Sequence, residues 1–222
     1  MVELAILIPV LRRPKNVQPL VESIKNSTTE PFELLFLVSP GDDEEISELK
    51  NSNQSYIIMD ASYENRGDYA RKINAGFNSI DAEWYFLGAD DLRFHPLWFE
   101  VAMDVNERIG ACVIGTNDLG SPIVMSGQHA THSLVLRDYV QKCGTIDEPG
   151  KVLHEGYRHN FVDTEFVETA KWRDAWTFST TSRVEHLHPD WGKNTQDEVY
   201  KIGKSGWEID KRYFEQRKRL WP

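Results

Sequence analysis

The sequence predicts an α/β fold in which a mostly parallel central sheet is flanked by helices. Apolar runs of strand length alternate with amphipathic segments of helix length through the first half of the 222 residues. The connections between them are short, which is typical of crossover units in a parallel sheet. One apolar run leads directly into two adjacent carboxylates, Asp90 and Asp91. Because ligands bind at the carboxyl ends of parallel strands, this acidic pair marks the predicted site.

The strands predicted in the first half are almost entirely apolar, as expected of strands that are buried on both faces. They cover residues 4–11, 32–38, 56–59, 83–87 and 111–115. Between them, apolar residues recur at three- and four-residue spacing, which predicts helices. These helices cover residues 15–26, a short segment opened by the acidic residues 42–45, residues 65–79 and a segment opened by Pro96.

After Asn117 the composition shifts toward glycine, histidine and aromatic residues, and an α+β region is expected. One helix is predicted from residue 163 to 171 or 172, and one alternating strand from 176 to 188. Within that strand, side chains of alternate residues should share a face, which places His186 and His188 on the same side. Histidines at this spacing are common metal ligands, although a hydrogen-bonded structural role is the alternative.

Composition excludes several classes of protein. The net charge of −10 argues against a general nucleic-acid coat, since that affinity comes largely from Lys and Arg. The last 32 residues are different, because they carry eight Lys and Arg against five Asp and Glu and predict a basic C-terminal helix. The two cysteines are not at metal-binding spacing, and no leader or membrane-spanning run is visible. We therefore expect no membrane association and a cytoplasmic location.

Familiar nucleotide-binding loops are missing from the sequence. There is no Gly-x-x-x-x-Gly-Lys-Ser/Thr loop, and the connection after the first strand, Pro9-Val10-Leu11-Arg12-Arg13-Pro14, is not Gly-x-Gly-x-x-Gly. No Gly-x-Ser-x-Gly elbow is present either. What remains is a diphosphate site built with a divalent metal.

These residues resemble the metal-dependent glycosyltransferases of the GT-A fold. Four features occur in the order of that family: Ile6-Leu7-Ile8-Pro9-Val10 with Arg12-Arg13-Pro14; Asn65-Arg66-Gly67 through Arg71-Lys72-Ile73-Asn74-Ala75-Gly76; Phe86-Leu87-Gly88-Ala89-Asp90-Asp91; and a late acidic segment followed by a histidine. The resemblance implies one GT-A type domain over residues 1–222. Residues 1–117 would bind the nucleotide sugar, and residues 118–222 would form the acceptor-side α+β half.

The resemblance also implies roles for individual residues. The donor-binding residues would be Pro9, Arg12, Arg66, Lys72 and Asp90, with Pro9 at the base and Asp90 at the ribose. Asp91, His188 and His186 would hold Mn²⁺ or Mg²⁺, which stabilises the charge on the departing diphosphate. The chain departs from the family's Asp-x-Asp pattern, because Gly88 stands where a first carboxylate often occurs.

Asp163 is similar in position to the family's late acidic motif and would be the base of an inverting transfer. Helix capping is its alternative role, Glu165 and Asp118 are the other candidates, and retention of configuration stays open. Segments around residues 115–120, 129–134 and 154–159 resemble phage and metavirome glycosyltransferases linked to 5-hydroxymethylpyrimidines in DNA. That resemblance implies a UDP-sugar donor, with glucose expected, and DNA 5-hydroxymethylcytosine as acceptor. Acceptor contacts would come from Trp172, Trp176, Trp191 and His132, in the host cytoplasm if the gene is viral.

Two alternatives stay open. The same enzyme class could act on a surface polysaccharide, a lipid or a protein glycan. The chain could also be a sugar- or nucleotide-binding module without turnover, in which the acidic pair and His188 hold a structural cation. Neither the sugar nor the oligomeric state follows from the sequence.

Overall fold

The computed structural model describes residues 1–60 and 68–221. Its strands are β1 (Val2–Val10), β2 (Phe32–Val38), β3 (Tyr56–Ile58), β4 (Ala82–Leu87), β5 (Leu92–Phe94), β6 (Val113–Asn117), β7 (Ser133–Leu136) and β8 (Trp176–His186). They form one eight-stranded sheet in the order β3-β2-β1-β4-β7-β6-β8-β5. The neighbours of β1 and the pair of β6 with β8 are parallel, whereas β7 and β5 pair antiparallel. The predicted α/β class with a mostly parallel sheet is confirmed.

Helices cover both faces of this sheet. They are α1 (Val17–Ser27), α2 (Asp43–Asn51), α3 (Asp68–Ser79), α4 (Trp98–Ile109), α5 (Pro122–Met125), α6 (Arg137–Lys142), α7 (Val162–Trp172), α8 (Glu198–Ser205) and α9 (Trp207–Arg217). Short 3₁₀ helices occupy Pro14–Asn16, Pro189–Trp191 and Lys218–Leu220. In the described part of the chain, we find no helix with the length and apolarity needed to cross a bilayer.

The strand β1 shows why the chain forms two apolar layers. Its residues Leu4, Ile6 and Ile8 pack on one side with α1 and α4, while Ala5 and Leu7 pack on the other with α3 and α7. All five are 0% exposed. A strand buried on both faces needs an unbroken apolar run, and this is the signal that the sequence carries.

Two short strands were not predicted from the sequence. β7 inserts antiparallel between β4 and β6, and β5 pairs antiparallel with β8 so that Leu92 lies opposite His186. β5 has three residues and β7 has four, which is too short for a periodic pattern. The β5 pairing matters for the site, because it places Asp91 beside the end of β8.

The strand β8 also differs from the prediction. It ends at His186, and His188 caps the following 3₁₀ helix. The pairing of β6 with β8 is irregular after Thr116, so strict alternation is lost: Thr180 is exposed, while Ser182 and Val184 are buried. The expectation that Thr180 shares their face is therefore wrong, because the irregularity shifts the register.

The C-terminal helix is held by a buried ion pair. In α9, Nε of Arg217 donates to Oε2 of Glu165 at 2.7 Å, and its terminal nitrogens donate to Asp147. Tyr157 donates to the same Glu165 oxygen at 2.6 Å. These contacts bring the end of the chain against α7, which stands beside the candidate site.

Candidate functional site

A cavity of about 480 Å³ opens at the edge of the sheet where β1, β4 and β8 end. Parallel strands that end at one edge bring distant segments together, which explains why residues from both halves meet here. Eight of the residues singled out in the sequence line this cavity: Pro9, Lys72, Asp90, Asp91, His132, Asp163, His186 and His188.

The acidic pair forms part of the cavity wall and is almost fully buried. The guanidinium of Arg13 neutralises it: Nη1 lies 2.8 Å from Oδ1 of Asp90 and 3.5 Å from Oδ2 of Asp91. Burial and the charge of Asp91 raise the pKa of Asp90. Burial would also raise the pKa of Asp91, but His186, Arg13 and the hydroxyl of Tyr200 together lower it.

Arg13 also binds the C-terminal segment. Its Nε donates to Oδ2 of Asp197 at 2.8 Å and its Nη2 donates to Oδ1 at 3.0 Å. The guanidinium carbon lies 4.0 Å from the centroid of the Tyr200 ring, a cation–π distance. Burial would lower the pKa of Arg13, but Asp197, Asp90 and Asp91 raise it, so the side chain stays charged.

Gly88, which occupies the position where the first carboxylate of an Asp-x-Asp motif often occurs, has no room for a side chain. A Cβ on Gly88 would lie 2.6 Å from Cδ1 of Ile8 and 3.1 Å from the carbonyl oxygen of Leu7. The backbone of β1 leaves no room for a side chain there. The acidic positions are therefore limited to Asp90 and Asp91.

Three histidines lie next to the acidic pair. Nε2 of His186 is 3.4 Å from Oδ2 of Asp91, and the ring of His186 is 5.0 Å from that of His188 and 5.2 Å from that of His132. Nδ1 of His132 is 2.9 Å from the carbonyl oxygen of Leu87 and must donate, since a carbonyl only accepts. Burial and the nearby His186 lower the pKa of His132 to about 4. His132 is thus a neutral imidazole with its Nε2 lone pair free.

The lone pair on Nε2 of His132 is available to a metal ion. In the described residues Nε2 of His132 is buried without a hydrogen-bond partner, and a histidine that donates Nδ1–H to a backbone carbonyl is typical of metal ligation. The 3.4 Å between His186 and Asp91 is close to the roughly 3 Å expected between adjacent ligands that each lie about 2.1 Å from an ion. Residues 1–60 and 68–221 nevertheless contain no finished group of three His, Cys, Asp or Glu ligands. The donor types fit a divalent ion, while Arg13 supplies the positive charge at the acidic pair.

Asp163 lies at the start of α7 and contacts His129, and both residues line the cavity. Its Oδ2 is 3.2 Å from Nε2 of His129, and its Oδ1 accepts the backbone N–H of Thr164 at 2.8 Å. Burial would raise the pKa of Asp163, but His129 and Thr164 lower it. Conversely, burial would lower the pKa of His129, but Asp163 raises it. The two side chains form a hydrogen-bonded acid–base pair.

The partners of Lys72 are protein groups, whereas a diphosphate ligand was expected. Its Nζ donates to the carbonyl oxygen of Val10 and to Oγ of Ser39, both at 2.7 Å, and lies 3.5 Å from Asp68. Burial lowers its pKa despite Asp68. Lys72 therefore ties the end of β1 to the end of β2 at the cavity wall.

Several residues singled out in the sequence are not at the cavity. Arg12 is 58% exposed and its Nη1 donates to Glu198 at 3.4 Å. Trp172 is 48% exposed, Trp176 packs against Lys171, and Trp191 packs against Gly120. None of these four lines the cavity. Arg66 lies outside the described residues, as does the start of the predicted helix at Asn65.

Other cavity residues were not predicted as site residues, among them Arg13, His129, Tyr200 and Trp207. Arg13 follows Arg12, and nothing in the sequence indicates which of the two points inward. Arg12 has a left-handed φ of 51°, which turns the chain at this point. Trp207 begins α9 and packs on Phe161 with 4.6 Å between ring centroids, yet stays 48% exposed.

No family model matches the chain, and no curated protein matches it. Solved structures do match. Staphylococcus aureus TarS in complex with UDP-GlcNAc has a TM-score of 0.61 at 11% identity, over 90% of this chain and 64% of that one. Glucosyl-3-phosphoglycerate synthase of Mycobacterium tuberculosis, in complex with Mn²⁺, UDP-glucose and phosphoglyceric acid, has a TM-score of 0.60 at 12% identity, over 91% of this chain and 75% of that one.

This chain has the GT-A fold. At 11–12% identity the similarity establishes the fold, and activity needs separate evidence. The chain also spans only 38% of the length of another TarS structure that it matches with a TM-score of 0.61.

Proposed function

We propose that this protein is a glycosyltransferase that moves a sugar from a UDP-sugar to an acceptor hydroxyl with inversion. The observation that carries the proposal is one cavity, in a GT-A fold, that is lined by both the acidic pair and Asp163. The similar structures add support, because TarS was solved with UDP-GlcNAc and the mycobacterial synthase with UDP-glucose.

In this reaction the acceptor oxygen attacks the anomeric carbon while the bond from that carbon to the diphosphate oxygen breaks. The bonding electron pair leaves with UDP, and the hydroxyl proton goes to Asp163. Asp163 suits this role because it lines the cavity with one oxygen held by the N–H of Thr164 and the other by His129. On the donor side we assign the base to Pro9, the ribose to Asp90 and the diphosphate to Arg66. The hydrogen bonds of Lys72 to Val10 and Ser39 do not support its role at the diphosphate.

Asp91, His186 and His188 are the proposed ligands of Mn²⁺ or Mg²⁺, a cation that, when bound, offsets charge on the departing diphosphate. The Mn²⁺ in the mycobacterial synthase supports the use of a divalent cation. The unpartnered Nε2 of His132 adds a fourth donor at the same wall.

The proposed acceptor is 5-hydroxymethylcytosine in DNA, and the proposed sugar is glucose. Exposed basic side chains on α8 and α9 support a polyanionic acceptor: Lys201, Lys204, Lys211 and Arg212. Lys204 and the exposed ring of Trp207 lie at the cavity itself. The positions of Trp172, Trp176 and Trp191 do not support their acceptor role. Cytoplasmic location stays a prediction.

The decisive experiment measures turnover of UDP-glucose and related donors with Mn²⁺ present. Release of UDP that is lost in Asp91→Asn and retained in Asp138→Asn supports the enzyme. Asp138 is a matched control, because its side chain is 65% exposed and pairs with Lys142. Binding of UDP without consumption of any donor indicates a binding module instead.

The acceptor is tested separately. The protein is incubated with DNA containing 5-hydroxymethylcytosine and a panel of nucleotide sugars, and the DNA is digested to nucleosides and weighed. A hexose added to the modified nucleoside supports the DNA acceptor. Donor turnover without any added mass redirects the search to polysaccharides, lipids and protein glycans.

A further inference from the structure

Arg13 occupies an unusual position for a charged side chain. It is 6% exposed and lies within 3.5 Å of three carboxylates, those of Asp90, Asp91 and Asp197. A buried guanidinium is retained only where acids compensate its lost hydration. Arg13 is thus the chain's own counter-charge for the acidic pair.

Two sides of the guanidinium are held by different parts of the chain. Nη1 faces the acidic pair after β4, whereas Nε and Nη2 grip both oxygens of Asp197, the residue that caps α8. Asp197 can therefore keep Arg13 at the cavity even when the acidic pair releases it. Because a guanidinium fork also matches phosphate oxygens, a released Nη1 has a natural partner in a diphosphate.

We propose that Arg13 and a divalent cation compete for Asp90 and Asp91, and that the cation frees Arg13 to bind the diphosphate of a nucleotide donor. This inference rests on the proposed function for the identity of the ligand. It assigns to Arg13 a role in donor binding that the neighbouring Arg12, which pairs with Glu198 away from the cavity, does not have.

A second observation supports a cation at this wall. His132 is 5% exposed, its Nε2 has no partner among the described residues, and its ring is 5.2 Å from that of His186. Arg13 cannot satisfy this nitrogen, because its hydrogen bonds go to carboxylates. A cation that binds carboxylate and imidazole together uses both Asp91 and this lone pair.

The test measures Mn²⁺ binding without nucleotide, by the electron paramagnetic resonance signal of the free ion. Arg13→Gln should bind Mn²⁺ about tenfold more tightly than wild type, because the competing charge next to the acids is gone. The same variant at saturating Mn²⁺ should bind UDP about tenfold more weakly, because it lacks a charge-assisted donor to phosphate. These opposite shifts separate competition from a loss of structure.

Arg12→Gln is the matched control and should change neither affinity. Asp197→Asn is a second variant that keeps Arg13 and both acids but removes the other carboxylate partner of Arg13. The guanidinium should then pair more strongly with the acidic pair, so Mn²⁺ should bind a few-fold more weakly. Arg13→Lys keeps a charge without the fork, so it should retain competition with Mn²⁺ and lose UDP affinity. Circular dichroism checks that each variant folds, and if Arg13→Gln does not, the other two carry the test.

Equal Mn²⁺ affinity in wild type, Arg13→Gln and Asp197→Asn overturns the competition. Unchanged UDP affinity in Arg13→Gln and Arg13→Lys overturns the role in donor binding. Neither measurement involves sugar transfer. A protein that shows both shifts but turns over no donor refutes the enzyme while leaving this inference intact.

Discussion

Arg13 and Asp197 are joined by two hydrogen bonds, of 2.8 and 3.0 Å, although 183 residues separate them in the chain. The pair connects the loop after the first strand to the cap of α8. Through Nη1 of Arg13 it also reaches the acidic pair after β4. Three remote segments are thereby held around one cavity.

Asp163→Asn should lower sugar transfer by about 10²- to 10⁴-fold, the range that general-base catalysis supplies. The amide is nearly isosteric with the carboxylate but cannot accept the proton. UDP affinity should not change, because the acidic pair and Arg13 are untouched. Steady-state kinetics together with calorimetric UDP binding measures both quantities. Asp138→Asn serves as the surface control, and transfer that survives in Asp163→Asn rules out this base.

His129→Gln should change the pH dependence of transfer. His129 has a raised pKa because of Asp163, and the protonated imidazole in turn makes Asp163 a weaker base. In wild type, transfer should therefore rise with pH as His129 loses its proton, above the ordinary histidine range. The variant should lack this step and show an acid limb at lower pH, set by Asp163 alone.

The profile of kcat from pH 5 to 9 measures this effect. Lys171 and Glu168 also face His129, and both side chains are present in wild type and variant alike. A purely structural His129 would lower kcat equally at every pH. Superimposable profile shapes for wild type and variant would contradict the coupling.

Glu45→Gln should stabilise the protein at neutral pH. Glu45 is 0% exposed, one oxygen accepts the backbone N–H of Arg13 at 2.8 Å, and the other has no partner among the described residues. Burial raises its pKa to about 7, well above the ordinary value of a glutamate near 4.5. The folded state then holds the proton more tightly than the unfolded chain, so wild-type stability falls as pH rises from 4.5 to 7.

The variant carries no charge at this position and should not share that fall. At pH 8 its free energy of unfolding should exceed that of wild type by up to about 3 kcal/mol, since one pKa unit corresponds to about 1.4 kcal/mol. At pH 4 the two should be equal. Urea unfolding at both pH values measures the difference, and the same difference at both would refute the titration of Glu45.

Gly88→Ala should destabilise the fold by about 1–3 kcal/mol, the usual cost of inserting a methyl group into a packed region. The added Cβ would lie 2.6 Å from the side chain of Ile8 and 3.1 Å from backbone, which cannot move without shifting β1. Gly206→Ala is the control, because its nearest contact would be an ordinary 3.4 Å. Chemical denaturation measures the free energy of unfolding of both variants. Equal values would show that β1 shifts to accommodate the methyl group at little cost.

The predicted strands show what local pattern can reveal. The strand over residues 32–38 was predicted with the bounds that it has in the structure, because a strand buried on both faces requires an unbroken apolar run. β5 and β7 were not predicted, since three or four residues owe their pairing to the strands beside them. The positions of Asp91 and His186 follow from such a pairing.

In the candidate site, too, some residues follow from the local sequence and others only from the packing of distant segments. Residue type and position after a strand singled out Asp90, Asp91 and Asp163, all of which line the cavity. The choice between Arg12 and Arg13 depended on a left-handed turn, and the partner of Asp163 depended on a loop 34 residues earlier in the chain. Neither relationship has a periodic signal.

The sequence by itself determined the α/β class, the sheet edge where the site lies and the acidic pair on it, because these follow from local apolar runs and from where they stop. Only the tertiary structure decided that the guanidinium of Arg13 faces that pair, that His132 has a free lone pair on Nε2, and that Trp207 lies at the cavity. Those outcomes depend on the packing of segments far apart in the chain, where competition for space and for hydrogen-bond partners selects one side chain over its neighbour.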